Sequence, residues 1–212
     1  MAIRKEDVVC WLDALQRVYA ENRQLLTDLD SAIGDADHGS NMDRGFAAAA
    51  TELRAHNPAD IAAALKSTAM VLIRSVGGAA GPLYGTFFLR AAAACQGKTE
   101  LGPADVVALF QAGVAGIEER GKAVAGDKTM IDVWLPALAA MREALEKEGS
   151  LSAVFERAVP AAEAAMQATI PMQARKGRAS YLGPRSVGHQ DPGATSSYLL
   201  IRAAAECWRA LE

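Results

Sequence analysis

Three aspartates fall within eight residues in the run Asp30-Ser31-Ala32-Ile33-Gly34-Asp35-Ala36-Asp37. The residues that follow, His38-Gly39-Ser40-Asn41-Met42, open a helix with small and amide-bearing side chains. Carboxylate oxygens are hard ligands that suit Mg²⁺, a helix N-terminus offers unpaired N–H groups to an anion, and the cation can bridge the two. The pattern points to a metal–nucleotide site. Asp30 is expected near the end of the second helix, with Asp35 and Asp37 in a turn made possible by Gly34. Two Mg²⁺ ions and a nucleoside diphosphate would set about four positive charges against about six negative ones. Arg178 or Lys176 could take up the remainder. The alternative is structural: Asp37 would cap the helix that follows, leaving Asp30 solvated.

Rival motifs fail on their own chemistry. Asp35 and Asp37 match the first two ligand positions of an EF-hand, but the next holds Gly39, the expected glycine is Ser40 and the bidentate Glu position holds Phe46. Gly116-Ile117-Glu118-Glu119-Arg120-Gly121-Lys122-Ala123 comes within one residue of a phosphate-binding loop. Ala123 replaces the hydroxyl that should ligate Mg²⁺, no strand precedes it, and two glutamates would face phosphate. Gly121 is expected instead as a helix C-terminal residue where the backbone turns. Ser75-Val76-Gly77-Gly78-Ala79-Ala80-Gly81-Pro82 leads into a helix with a bare backbone, suited to close approach by a phosphate or an adenine and equally to close helix–helix contact. His38 and His189 lie in candidate loops and His56 at a helix end, without the clustering that zinc requires. No Ser/His/Asp or Cys/His grouping suggests a nucleophile, so the site reads as a holder of a phosphoryl donor.

The elements that must position these residues are helices. Aromatics make up 6% of the 212 residues, and alternating β-branched runs are missing from an alanine-rich sequence. Val8, Leu12, Leu15 and Tyr19 share a helical face, as do Trp134, Leu138, Met141 and Leu145, and Tyr198, Ile201, Ala205 and Trp208. The pattern predicts helices near 5–20, 22–33, 39–55, 59–75, 79–96, 103–120, 129–147 and 151–170, with a ninth from Pro192 to the end. Pro103 after Gly102 and Pro192 after Asp191 read as first-turn prolines. No linker or internal repeat divides the chain, so residues 1–212 are read as one domain. Residues 171–191 lack helical periodicity but carry Arg175, Lys176, Arg178 and Arg185 in a chain of net charge −3, which predicts a lid over an anion; a solvated surface loop is the alternative.

A pI of about 5.7 gives no electrostatic support for nucleic-acid or membrane-surface binding. Cys10, Cys95 and Cys207 match no zinc or disulfide pattern, and neither a signal peptide nor a membrane span is evident, so a cytoplasmic protein is expected.

The chain resembles the family of dihydroxyacetone kinase L subunits, from near Trp11 to the last helix. The resemblance is carried by Gly34-Asp35-Ala36-Asp37-His38-Gly39, Ser75-Val76-Gly77-Gly78-Ala79, Gly81-Pro82-Leu83-Tyr84-Gly85-Thr86, Gly126-Asp127-Lys128-Thr129-Met130, residues 173–183 (Gln173 to Gly183), and Gly188-His189-Gln190-Asp191-Pro192-Gly193-Ala194. It implies an all-α barrel of about eight amphipathic antiparallel helices, so that the nine predicted segments should collapse to eight. ADP or ATP and two Mg²⁺ would lie at one end. By position, Asp30, Asp35 and Asp37 would bind metal, while His38, Gly39, Ser40, Asn41, Ala79 and Ala80 would surround the phosphates. Gly121 and Met130 would line the base pocket; Arg178, Asp191, Pro192 and Gly193 would close over the nucleotide. Ala80 departs from the family's usual serine, leaving only a backbone N–H at that position.

The resemblance also implies partners. Dihydroxyacetone would be bound by a separate K subunit, without which this chain should not phosphorylate a ketose. A free-standing L-like chain favours the mode in which a multiphosphoryl subunit of the sugar phosphotransferase system rephosphorylates ADP in place. ATP exchange at each turnover, a nucleotide-state sensor read by a protein partner, and an apolar-ligand carrier are the alternatives.

Overall fold

Each predicted helical segment forms, because in each the apolar residues return every three or four positions and bury one face. The computed structural model describes residues 2–209. Among these, nine α-helices follow one another: α1 (Lys5–Glu21), α2 (Arg23–Ile33), α3 (His38–His56), α4 (Ile61–Ser75), α5 (Ala80–Ala94), α6 (Pro103–Gly121), α7 (Ile131–Lys147), α8 (Leu151–Ala168) and α9 (Pro192–Arg209). The predicted boundaries agree to within two residues, except at the end of α9, where residues 210–212 lie outside the described residues. Two-residue strands β1 (Ile3–Arg4) and β2 (Glu100–Leu101) pair antiparallel, Ile3 opposite Leu101. Such pieces are too short to leave an alternating pattern in the sequence.

The helices close into a ring. α3 packs on α4, α4 on α5, and so on to α9, which returns to α1, while α1 packs on α3. α2 continues α1 past Asn22, whose N–H still reaches the Val18 carbonyl at 3.1 Å and whose own carbonyl accepts from Leu26 at 3.0 Å. Counted as one bent rod, α1 and α2 make a barrel of eight. The nine segments themselves do not merge, since Asn22 breaks the rod without ending its direction.

All five phenylalanines and all three tryptophans are buried. They fill the barrel as a connected set running from Trp208 and Trp11 through Phe110 and Phe87 to Trp134, with ring centroids 5.0–6.3 Å apart. An alanine-rich wall lets helices approach closely, and the few large rings supply the volume that remains.

Because consecutive helices alternate in direction, one end of the barrel collects the connections 34–37, 76–79, 122–130 and 169–191. The two ends are finished differently. At the far end, Asp60 and Ser150 cap α4 and α8, accepting from the N–H groups of Ala63 (2.7 Å) and Ala153 (3.2 Å). Asp7 and Asp105 likewise accept from the N–H groups of Arg4 and Gly102 at the starts of α1 and α6. At the other end, α3, α5 and α7 begin without a side-chain cap. Those of α7 are met by the Thr129 hydroxyl and the Thr129 and Met130 carbonyls, and α9, which also starts here, is capped by Asp191, so it is first-turn N–H groups of α3 and α5 that are left for something else to satisfy.

Candidate functional site

The acidic cluster assembles at this uncapped end. Asp30, in the last turn of α2, and Asp35 and Asp37, in the turn to α3, bring carboxylate oxygens within 4.8 Å of one another. Asp30 is buried, and its Oδ2 accepts from the N–H groups of Asp37 (2.8 Å) and His38 (3.1 Å), which fixes the turn around it. Gly34 is needed for room: a Cβ there would stand 2.0 Å from Asp30 Oδ1. The left-handed residue is Ala36 (φ 61°), so the turn owes its direction to Ala36 and its space to Gly34. Asp37 makes no side-chain cap to α3, which removes the capping alternative; the Ser40 hydroxyl donates to the Asp37 carbonyl instead. Three carboxylates this close form a donor set that suits a hard divalent ion.

Two adjoining recesses extend from the cluster. The smaller, about 200 Å³, is bordered by the three aspartates, His38, Asn41, Gly77 to Ala80, Met130, Arg178 and Asp191 to Gly193. The larger, about 690 Å³, runs between α5, α6 and the start of α7 and is lined by Leu83, Ile117, Gly121 and Met130. They share Ala79, Leu83, Thr129, Met130, Lys176 and Gly177. A polar, acidic end beside an apolar slot of this volume suits a molecule with a phosphate tail and a flat ring.

Most of the predicted residues meet here, with exceptions. Gly39 lines neither recess: a Cβ would lie 2.1 Å from the Arg23 carbonyl, so the glycine lets α3 pack on α2. Ser40 borders a separate surface recess with Arg23 and Thr27. Both remain in the first turn of α3, where only their backbone can face an anion. Gly121 ends α6, but the left-handed residue is Lys122 (φ 52°); Leu83 lies 3.1 Å from where a Cβ on Gly121 would be. Gly78 (φ 63°) turns the glycine-rich connection into α5, and Gly77 is pressed against Asn41. Ala80 begins α5 with no hydroxyl to offer.

The segment 171–190 arches over the cluster. Arg178 Nε lies 2.9 Å from Asp35 Oδ2, and residues Arg178–Ser186 form a 3-10 turn that the sequence pattern did not reveal. Arg178 is two-thirds exposed, so this ion pair by itself contributes little stability. Its guanidinium would be available to an anion if a metal ion took Asp35.

Beneath the cluster lies a buried polar network. His38 Nε2 is 2.9 Å from Ser196 Oγ, which is 2.7 Å from the Tyr84 hydroxyl, and Tyr19 donates to the Ser196 carbonyl at 2.9 Å. Burial pushes the His38 pKa down, against the pull of Asp30 and Asp37, so the imidazole is held neutral. Asp191 caps α9, accepting from the Ala194 N–H at 2.7 Å. Burial pushes its carboxyl up to about 7, opposed by that N–H and by Lys128.

A carboxyl with a raised folded-state pKa binds its proton more tightly folded than unfolded, so stability falls as pH rises from about 4 to about 7 and levels off above. Asp191→Asn keeps a capping oxygen and removes this dependence. The wild-type chain is expected to lose up to roughly 4 kcal/mol more than the variant between pH 4 and pH 8. Urea unfolding of both at the two pH values measures it, and parallel curves would disprove it.

The sequence reading named Lys128, Thr129 and Leu83 only inside family motifs and gave them no role in the site. Thr129 and Leu83 border both recesses, and Lys128, although almost wholly buried, borders the smaller one. An isolated Lys-Thr pair carries no spacing signal, and Leu83 reads as ordinary core.

Residues 32–206 match the family model described as the DAK2 domain. The chain is 48% identical over 205 residues to the PEP-dependent dihydroxyacetone kinase, ADP-binding subunit DhaL, of Escherichia coli K12, covering 97% of this chain and 98% of that one. It is 39% identical to the PTS-dependent dihydroxyacetone kinase, ADP-binding subunit DhaL, of Lactococcus lactis, covering 92% and 94%. Among solved structures it is similar to the dihydroxyacetone kinase from C. freundii in complex with AMP-PNP and Mg²⁺, with a TM-score of 0.74 and 25% identity. That likeness covers 97% of this chain and 34% of the C. freundii chain.

Proposed function

The chain belongs to the DAK2 domain family, and from that premise we propose that it is the nucleotide-holding subunit of a dihydroxyacetone kinase. The single observation that carries the reading is the convergence of Asp30, Asp35 and Asp37 within 4.8 Å at an end of the barrel where α3 and α5 start uncapped. Residues 1–212 act as one domain in this reading, and the protein works in the cytoplasm; no helix among the described residues is long and apolar enough to cross a membrane.

Two Mg²⁺ ions held by the three aspartates would neutralise the charge of the bound phosphates. The remaining work falls to the chain's own groups. First-turn N–H groups of α3 and α5 cradle the phosphates, Leu83, Gly121 and Met130 take the base, and the segment bearing Arg178 closes over the nucleotide. Neutral His38, locked by Ser196, adds a fixed polar group without adding charge. Positioning and charge stabilisation provide the catalysis. The acceptor is dihydroxyacetone or a related short ketose on a separate K subunit, and the chain is inactive toward sugar without it. A multiphosphoryl phosphotransferase subunit restores ATP from ADP in place; the names of the E. coli and L. lactis relatives, PEP-dependent and PTS-dependent, support this mode over free ATP exchange.

The test is direct. The protein is purified without added nucleotide, dialysed in Mg²⁺ buffer and denatured, and released nucleotide is quantified by chromatography. Near-stoichiometric ADP is the expected result. An empty protein that binds Mg·ATP reversibly would replace the cofactor mode with exchange, and no Mg²⁺-dependent binding would end the kinase reading.

Ala80 bears on retention. Ala80→Ser restores a hydroxyl at the first residue of α5, and a hydrogen bond to a charged group contributes roughly 1.5–3 kcal/mol. ADP dissociation is expected to slow by roughly 10- to 100-fold on that basis. Stopped-flow displacement of a fluorescent ADP analogue measures it; an unchanged rate would mean that position 80 does not touch phosphate.

A further inference from the structure

Lys128 is 1% exposed and, among the described residues, has no carboxylate within hydrogen-bonding distance of its ammonium. Its Nζ faces five backbone carbonyls instead: Thr169 at 2.9 Å, Ile170 at 3.4 Å, Met172 at 3.0 Å, Ser186 at 2.8 Å, and His189. Three come from the outgoing limb of the 169–191 segment and two from its return. Lys128 itself sits in a left-handed conformation (φ 61°) within the connection between α6 and α7. That connection is made rigid from below, since Asp132 accepts from the N–H groups of Gly126 and Thr129, and Asp127 accepts from the N–H of Val124. Burial lowers the Lys128 pKa while Asp191 raises it.

Five carbonyl dipoles converging on one point repel each other unless a cation occupies that point. An ammonium has three N–H donors and no acceptor, which fits a nest made only of carbonyls. The two limbs are thus held together by a charge that belongs to a third element. That element also carries Thr129 and Met130, which border both recesses. We propose that Lys128 is a positioning residue: its ammonium, inserted among the five carbonyls, clamps the limbs of the arching segment and sets Arg178 over the acidic cluster, so that it governs nucleotide residence through the arch. The retention arm rests on the proposed nucleotide-binding reading; the clamp itself does not.

The experiment uses the full chain with Lys128→Met, which keeps length and removes charge, and Lys128→Gly, which relieves the left-handed backbone and leaves a channel for an added amine. Limited trypsin digestion reads the arch, where Arg175, Lys176, Arg178 and Arg185 are exposed. Cleavage there is expected to accelerate by roughly 30-fold or more in both variants, on the strength of hydrogen bonds to a charged donor. Release of a fluorescent Mg·ADP analogue is expected to accelerate in parallel. Mn²⁺ binding to the acidic cluster without nucleotide, followed by electron paramagnetic resonance, should match the wild type. In Lys128→Gly, n-butylammonium should slow cleavage beyond the inhibition of trypsin that the same amine causes with Lys128→Met, whereas tetramethylammonium at equal ionic strength should not.

Wild-type cleavage and release rates in Lys128→Met would overturn the proposal. If that variant is unfolded by circular dichroism, Lys128→Gly decides: rescue by n-butylammonium supports the clamp and its absence overturns it. If the wild type binds no nucleotide, the kinase-subunit reading fails, and the trypsin and amine arms alone settle the role of Lys128.

Discussion

Asp35→Asn is expected to lose Mg²⁺-dependent nucleotide binding by on the order of 10² to 10³-fold, the equivalent of roughly 3–4 kcal/mol. Asp35 is one of three carboxylates whose oxygens lie within 4.8 Å, and an amide in its place gives up a full negative charge with almost no change of shape. Two carboxylates then face the charge of two divalent ions and a nucleotide. The hard-ligand count falls for a cation that binds through charge and oxygen donors. Arg178 loses its ion pair with Asp35.

Stability should move little, because that ion pair is largely exposed and because mutual repulsion among the three carboxylates is relieved. Titration calorimetry with Mg·ADP, next to a urea melt without ligand, separates the two effects. Retained affinity would mean that the aspartates are solvated bystanders. A collapsed melt would mean that Asp35 serves the fold.

Legibility in the sequence followed the range of each interaction. The helices were readable because a helix records its burial every three or four residues, as in Val8, Leu12, Leu15 and Tyr19. Asp30, Asp35 and Asp37 were readable because their spacing is local and their turn is made by neighbours. The resemblance supplied the residues brought in from elsewhere, such as Gly121, Met130 and Asp191. What stayed hidden depends on distant backbone. Ring closure of α9 on α1 makes α1 and α2 one of eight rods, and no local pattern in residues 5–33 marks it. Lys128 acquires its role from carbonyls 41 to 61 positions away. Carbonyls are present at every residue and leave no trace in the sequence. Gly39 was placed in the site by family position, whereas its side-chain-free surface answers to Arg23; Gly121, placed in the same way, lines the larger recess beside Leu83.

Trp11→Ala is expected to cost about 3–5 kcal/mol of stability, the range for deleting a fully buried large aromatic. Trp11 is 0% exposed and sits where the ring of helices closes. Its centroid is 5.0 Å from Trp208 on α9, 5.8 Å from Phe88 on α5 and 5.9 Å from Phe110 on α6. Its Nε1 donates to the Leu200 carbonyl at 3.4 Å, and Trp208 Nε1 donates to the Asp7 carbonyl at 3.2 Å, so α1 and α9 are stitched from both sides. Deleting the indole opens the seam and leaves a void that an alanine-rich wall has few large side chains to fill. For a chain of this size the midpoint of thermal unfolding should fall by roughly 6–20 °C.

The seam runs from Asp7 and Trp208 at the far end to Tyr19 and Ser196 near the nucleotide end, and Trp11 lies toward the former. Below its melting point the variant should therefore bind Mg·ADP with wild-type affinity, and saturating ligand should raise both midpoints through the same linkage. Asp35→Asn and Trp11→Ala then form opposite pairs: one loses the ligand and keeps the barrel, the other weakens the barrel and keeps the ligand. If Trp11→Ala also lost affinity in the folded state, closure of the seam would be part of the site. Asp30 on α2 and Asp191 at the start of α9 would then be held in register by the far end of the barrel, and the two-ended division of labour drawn from the helix caps would not hold.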